Sequence, residues 1–483
     1  MEKLEFPLDA MKGRNLLIFP MAFTRRFVHQ VASRRHWRSL QTPLLQTLAE
    51  ADFVSFDFEL TGLHSKSERF IGLSQSYDAH CQGVRTFIPV QLGLCGAKYN
   101  RELGRWSLTP VSIYLYPYSV PGEEEGSGRC FSVSTSALNF LVANGFDCNE
   151  WISQGVGSLR PVEEADRRKL LSSRTEEIRE LIKSASSSET KGANVSPINL
   201  PDGADKEAMV ALKVKIDVWL AARGPESEHL EVPMESAFLR LIAHNYIAQE
   251  FPGLFSQSVK RGEARVLCIY RNKDDLFREQ LNDLKEESDK LDWEVGPRRL
   301  FDAMAANKTP LVGHNCFYDM LHAHHAFYED APQFIDQFKQ KWLNRFPRTF
   351  DTKYMAESNE VLGGLQPPAT LRSLCDFMLG HHKDLAVDIL PITPEFAYSL
   401  PRKEEEDLSH DAGYDAMMTS LVFLAQIKHI IERRSLEFGQ IEFGALVKAG
   451  EQKIPIQELL RNACNKIRMV KTQPASLNLK ERE

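Results

Sequence analysis

The run Phe53-Val-Ser-Phe-Asp-Phe-Glu-Leu60 most constrains how this chain can fold. Its aromatic and β-branched residues, with polar ones interleaved, predict a strand. Residues two apart on a strand share a face, so Asp57 and Glu59 point one way and Phe56 and Phe58 the other. Phe53, Val54 and Leu60 predict that this strand is buried. Two carboxylates set side by side repel unless a cation bridges them or one takes up a proton. The same spacing also occurs in ordinary surface pairs, so the strand alone leaves both readings open.

Two further segments carry acids in suggestive settings. Thr309-Pro-Leu-Val-Gly-His-Asn-Cys-Phe-Tyr-Asp319 reads as strand, turn and helix, with Asp319 on the helix that starts near Cys316. Ser409-His-Asp-Ala-Gly-Tyr-Asp415 leads into the apolar helix 416–427. On a continuous helix His410 and Asp415 would lie about 140° apart. They converge only if His410 sits on the preceding loop, with Asp411 as the predicted N-cap. Four hard oxygen donors (Asp57, Glu59, Asp319 and Asp415) suit two divalent ions such as Mg²⁺ or Mn²⁺. Such a pair can activate a water and stabilise the leaving oxygen of an in-line phosphoryl displacement. A loop histidine is suited to act as general base there, with an ordinary pKa of about 6.5. Read separately, the same residues are a surface acid pair, a helix carboxylate and a satisfied histidine, and spacing does not choose between these accounts.

Composition narrows the classes. Of 483 residues, 43% are hydrophobic and 26% charged, which excludes a wholly disordered chain and suggests two or three domains. No apolar run reaches the roughly 18 residues of a membrane helix. Eight scattered cysteines without a C-x-x-C pair argue against a disulfide scaffold or a cysteine-rich zinc site. His314, His322, His324 and His325 lack a set of cysteines at zinc-ligand spacing and are not read as zinc ligands. The net charge of −7 divides into +5 on residues 1–49 and −12 on the rest. An acidic body must meet nucleic acid through local basic patches or bound metal ions.

Residues 1–44 read as a basic leader. Between Asp9 and Glu50 there is no acid, and 21–41 is arginine-rich with Phe23, Phe27, Val31 and Trp37 roughly on one side. That pattern predicts a mitochondrial address, with the nucleus or cytoplasm as the alternative. A nuclease domain is expected over 45–183 and 293–470, with strands at 86–94 and 112–116 and a helix at 167–182. It is interrupted by a polar linker (184–202), a compact insert (203–272) and a charged connector (273–292). Of the 20 residues 271–290, 12 are charged, which predicts a solvated segment. The insert is predicted to hold helices at 206–222 and 234–249 and a strand at 265–270. Residues 471–483 read as a polar tail.

Ordered motifs resemble the poly(A)-specific ribonuclease family of DEDD 3′-to-5′ exonucleases of the His type. They are ADFVSFDFELTGL, VQLGLCGAKY, SVSTSALNFLVANGFD, TPLVGHNCFYDMLHAHHAFY, PRTFDTKYMAES and LSHDAGYDAMMTSLVF. The resemblance covers some 300 residues. It implies an α/β, RNase H-like mixed sheet flanked by helices, with an inserted small α+β domain that binds single-stranded nucleic acid. It places Asp57, Glu59, Asp319 and Asp415 on the metal carboxylates and His410 on the general base. It implies two divalent ions (Mg²⁺, with Mn²⁺ possible), single-stranded RNA with a 3′ poly(A) tail as substrate, release of 5′-AMP, a homodimer and no membrane. Leu60, Leu63, Asn315 and Lys353 fall where the family meets the RNA 3′ end, Leu60 replacing an aromatic. In the insert, Arg240 and His244 are four apart on one predicted helix face and resemble the Arg-x-x-x-His pair of the family's RNA-binding domain. A counterpart of the family's cap-binding RNA-recognition domain is not expected in this sequence. Trimming of small RNA 3′ ends, DNA exonuclease activity and a silent RNA-binding adaptor are the competing functions.

Overall fold

The computed structural model describes residues 31–63, 71–117, 130–185, 204–222, 229–234, 236–261, 264–394, 396, 410–444 and 453–481. The chain divides into two compact units. Residues 1–161 and 293–483 form one, and residues 162–292 form the other.

The first unit opens with helix α1 (Arg34–Glu50), which buries Trp37, Leu40, Leu44 and Leu48 at helical spacing and leaves Arg34 and Arg35 in solvent. Trp37 donates its indole N–H to the Trp293 carbonyl at 3.1 Å, and the Arg38 guanidinium lies 4.2 Å over the Trp293 ring. The expected leader boundary at 44 therefore needs correction. Residues 1–30 lie outside the described residues, but 34–44 belong to the folded unit because their apolar side chains complete its core. Trp37→Ala is expected to cost about 3–5 kcal/mol, the usual penalty for emptying a buried Trp site. Urea unfolding measures it, and a chain starting at Leu40 loses the same contacts.

The sheet follows. Strand β1 (Phe53–Leu60) matches the expected span, α2 (Leu73–Thr86) crosses over, and β2 (Pro89–Asn100) and β3 (Arg105–Tyr114) form a meander. α3 (Thr135–Ala143) comes next. After the second unit come β4 (Leu311–Gly313), α4 (Phe317–Phe327), β5 (Thr349–Asp351), α5 (Thr352–Glu357) and the long α6 (Ala412–Arg433). The order β3-β2-β1-β4-β5 pairs the first three strands antiparallel and the last two parallel to β1, with Val31–Ala32 and Val387–Ile389 added along β3. This is the RNase H-like mixed sheet expected from the sequence.

Alternation along β1 assigns its faces. Val54, Phe56, Phe58 and Leu60 join the core formed with α1, α2 and α4. Phe53 joins the opposite core with α6. On that side Ser55 Oγ lies 2.5 Å from the Ala416 carbonyl and 2.6 Å from Ser420 Oγ, so α6 runs directly over the face that carries Asp57 and Glu59.

The expected C-terminal tail is folded. Thr472–Gln473 pairs with Ile71–Gly72, and β7 (Ser476–Asn478) pairs antiparallel with β6 (Lys466–Arg468). Leu477 and Leu479, two apart as on a strand, are buried. A polar composition concealed them because only alternate residues enter the core.

In the second unit, helices Ala204–Ala221 and Ala237–Glu250 pack on a three-stranded antiparallel sheet. Its middle strand is Ala264–Tyr270, flanked by His229–Pro233 and Phe255–Arg261, two strands the sequence did not announce. The core joins Met209, Leu212, Ile216 and Trp219 to Ile242, Ile247, Leu267 and Ile269. The expected nuclease boundary at 183 shifts, because helix Pro161–Ala185 belongs from Val162 onward to this unit. The charged connector is the helix Lys273–Glu294, solvated on most faces but anchored by buried Phe277 and Leu291. Of the expected linker 184–202, residues 184–185 end the helix Pro161–Ala185 and 186–202 lie outside the described residues.

Candidate active site

Three elements deliver the acids. β1 presents Asp57 and Glu59, and its register against β2 shifts between Glu59 and Leu60. Asp319 stands in the first turn of α4 and Asp415 in the first turn of α6. An acid in a helix's first turn meets the positive end of the helix dipole. The turn before α4 depends on Gly313, where a Cβ would lie 2.2 Å from the Cys316 Cβ.

The start of α6 is fastened to the sheet by its N-cap. Asp411 accepts from Ser112 Oγ (2.5 Å), Gln91 Nε2 (2.9 Å) and the Tyr414 amide (3.1 Å). Gln91 and Ser112 in turn accept the amides of Ala412 and Gly413, each at 3.1 Å. At Gly93 the helix start passes so close that a Cβ would lie 1.8 Å from the Ala412 carbonyl oxygen. The glycine is what allows Asp415 to come down onto β1.

The result is a knot of negative charge. Ligand atoms of Glu59, His410 and Asp415 all lie within 4.8 Å of one another. Burial pushes the Asp57 carboxyl well above the usual carboxylate range, and Asp319, Asp415, Glu59 and Asp411 each push it further. Glu59 is raised in the same way by burial, Asp415, Asp411 and Asp319. Asp319 is raised to about 7 by burial, partly offset by backbone hydrogen bonds at Asp319 itself and at Phe58. Every charge named as acting on Asp57 and Glu59 is another acid. Four hard oxygen donors with no cation among those neighbours fit a divalent ion.

His410 stands outside the helix, as the spacing required, with φ 72° in the left-handed region that disfavours a side chain. Its exposed ring meets the Phe140 ring edge-on, centroids 4.6 Å apart. Phe140 projects from α3 and is 46% exposed while Leu141 beside it is buried. Sequence reading gave Phe140 no role, because only the tertiary fold lays α3 beside His410.

Residues 33–423 match the CAF1 family ribonuclease. This chain belongs to that family. It is 24% identical over 413 residues to the poly(A)-specific ribonuclease PARN of Homo sapiens, covering 82% of this chain and 62% of the relative. The chain thus spans less than two thirds of that relative's length. It is 22% identical to the pre-piRNA 3′-exonuclease trimmer of Bombyx mori, over 79% of this chain and 68% of the relative. A solved structure of S. pombe Pop2p, in an Mg²⁺- and Mn²⁺-bound form, aligns at TM-score 0.38 and 10% identity, covering 82% of this chain and 91% of that one.

In this CAF1-family chain, the residues expected at the RNA 3′ end are distributed unequally. Leu63 is 59% exposed, whereas Leu60 is buried in the core and offers little face to a base. Asn315 is exposed with φ 56° and donates its amide to Asp351 Oδ1 at 2.9 Å. Asp351, fully buried, also accepts the amides of Lys353 (2.9 Å), Tyr354 (3.3 Å) and Arg468 (2.9 Å). It sets the Asn315 turn against the Lys353 helix, a role the motif PRTFDTKYMAES did not disclose.

The four clustered histidines do not converge. His314 Nδ1 sits 2.9 Å from Thr352 Oγ1, and His325 Nδ1 accepts the Ala331 amide at 3.3 Å. His322 and His324 are each 1% exposed, and burial holds their pKa values down to about 3 and about 4. Folded-state values below the unfolded 6.5 mean stability that is present above pH 6.5 and lost as pH falls toward 4. The loss is about 1.4 kcal/mol per pH unit for each histidine. Urea midpoints at pH 7 and pH 5 should show this drop, and His322→Leu should reduce it.

In the second unit Arg240 and His244 do share a face of helix Ala237–Glu250, but both turn inward. Arg240 is 8% exposed and donates to the Met234 carbonyl at 2.6 Å. The His244 ring lies between Ser256 Oγ (2.8 Å) and Ser258 Oγ (2.9 Å), and burial lowers its pKa. Phe238 and Leu241 are the exposed apolar residues of that helix. A further trio, His229, Glu231 and Cys268, already engages a cation of the chain, with Arg261 Nε 3.0 Å from Glu231 Oε1.

Proposed function

We propose that this chain is a divalent-metal-dependent 3′-to-5′ exoribonuclease that shortens poly(A) or oligoadenylated RNA tails to 5′-AMP. The observation that carries the reading is the meeting of Asp57, Glu59, Asp319 and Asp415 from three elements, with His410 at the rim. These four acids would hold two Mg²⁺ or Mn²⁺ ions, which when bound supply an activated water and charge stabilisation at the leaving oxygen. The chain's own residues do the rest. His410, solvent-facing and outside the helix, takes the proton of the attacking water. Phe140 fixes the imidazole's orientation from one side. Asn315, Lys353 and Leu63 orient the 3′-terminal nucleotide, by polar contact to the backbone and apolar contact to an unpaired base. The second unit binds single-stranded RNA, and the active form is a homodimer. The basic, acid-free stretch 21–41 supports a mitochondrial destination, which imaging of the full chain would test.

The likeness to the silkworm trimmer favours one second reading, removal of 3′ overhangs from small RNAs. Both are tested by incubating the purified chain and Mg²⁺ with 5′-labelled RNAs ending in oligo(A), oligo(U) or mixed sequence, and with single-stranded DNA. Stepwise shortening confined to oligo(A) supports tail removal, and equal shortening of every RNA supports trimming. Absence of metal-dependent shortening from all substrates rejects the nuclease reading.

A further inference from the structure

At Tyr354 on α5 lies a cleft of about 870 Å³, within the range of small-ligand sites. Its walls include residues 72–75 at the start of α2, Lys339, Tyr354, and Lys466, Ser476 and Asn478 from the β6–β7 hairpin. Antiparallel register places Lys466 opposite Asn478 and Arg468 opposite Ser476 on one hairpin face, while Ile467 and Leu477 face the core. The cleft wall is therefore a polar strand face, set by the two-residue period.

We propose that this cleft receives the RNA backbone upstream of the scissile nucleotide, with Lys466 as its principal phosphate contact. The inference rests on the exoribonuclease reading and adds a path for the substrate to it. Position is the first argument. The buried Asp351 carboxylate binds the amide of Asn315, at the expected 3′-end site, the amide of Tyr354, which lines the cleft, and the amide of Arg468, two residues along β6 from the cleft-lining Lys466. On this reading, a strand leaving the Asn315–Lys353 edge passes Tyr354, next to Lys353 in α5, into the cleft.

Charge is the second argument. The residues lining the cleft include two lysines, Lys339 and Lys466, and one acid, Glu481, in a chain whose overall balance is acidic. Lys339 is spoken for, donating to Asp336 Oδ1 and the Glu481 carbonyl at 3.2 Å each. Arg468 is engaged with Glu357 at 2.5 Å. Half-buried Lys466 forms no ion pair among the described residues. The start of α2 adds to the same wall. Its first turn carries no acid, its N-cap Gly72 supplies no side-chain acceptor, and a Cβ there would meet nothing within 4 Å. Ser74, Gln75, Ser476 and Asn478 add neutral hydrogen-bonding groups, a lining that suits ribose and phosphate without selecting a base.

The test compares kcat/KM on the short substrate A3 and the longer A8 within one preparation, so a misfolded fraction cancels. For Lys466→Gln, and for Ser476→Trp, which fills the cleft, the A8-to-A3 ratio should fall roughly tenfold. The salt dependence of A8 binding should also become shallower by about 0.7 in log–log slope, the share of one single-strand phosphate contact. A ratio and slope equal to wild type in both variants would overturn the cleft assignment while leaving the nuclease reading standing. Failure of the wild-type chain to shorten either oligonucleotide would reject both.

Discussion

Asp57→Asn is expected to lower oligo(A) hydrolysis by roughly 10²–10³-fold, the scale seen when one preorganised charge-stabilising group is removed. RNA binding should fall far less. The same substitution should raise the melting temperature in the absence of divalent ions. Asp57 is raised by burial and by four neighbouring acids, so its charge opposes folding when no cation is present. A neutral amide of the same shape relieves that repulsion, and each kcal/mol relieved raises Tm by about 1–2 °C for a unit of this size. Adding Mg²⁺ should stabilise wild type and leave the variant nearly unmoved. A thermal shift with and without Mg²⁺, beside a gel assay, reads both effects. An active Asp57→Asn protein, or one less stable than wild type without metal, would reject the metal assignment. The two readouts separate chemistry from folding, since lost activity accompanied by a gain in stability cannot be ascribed to unfolding.

Gly93→Val is expected to abolish activity from a position with no reacting group. A Cβ at residue 93 would lie 1.8 Å from the Ala412 carbonyl oxygen and 2.6 Å from the Gly413 nitrogen, and both partners are backbone. The start of α6 must then lift from β2, breaking the amides of Ala412 and Gly413 from Gln91 and Ser112 and drawing Asp415 away from Glu59. Overpacking of this kind costs about 1–3 kcal/mol, and a 1 Å displacement of a catalytic group can cost about 10²-fold in rate. Circular dichroism should show a folded, less stable protein that Mg²⁺ stabilises little. Gly96→Ala on the same strand, where the nearest atom is a Thr47 methyl at 3.3 Å, serves as the mild comparison. If Gly93→Val kept wild-type activity, α6 would not be positioned by this contact.

The candidate acids and His410 could be singled out in the sequence because each lies in a segment with a strong local signal, while the choice between a shared metal site and unrelated groups came from the family resemblance. Phe53–Leu60 alternates, the residues after Thr309 switch from strand to helix, and Asp411 opens an apolar helix. Other features escaped because their signals are not local. Strands His229–Pro233 and Phe255–Arg261 are short and carry several polar residues, so they are held by pairing with Ala264–Tyr270 more than by their own propensity. Residues 471–481 read as a tail because two buried leucines do not register in a polar average. Leu60 and Leu63 look alike in sequence, yet the core takes the first and solvent the second.

Side-chain period and composition by themselves determined which residues could carry metal chemistry, since alternation on a strand and first-turn positions on helices are fixed by backbone geometry. Only the tertiary structure decided that these residues meet, that Gly93 is the contact allowing it, and that Asp351 ties the Asn315 turn to a lysine-bearing cleft. Those outcomes depend on groups distant in the chain, Gly93 and Ala412 or Asp351 and Arg468, coming into contact, and no property of either segment alone encodes that distance.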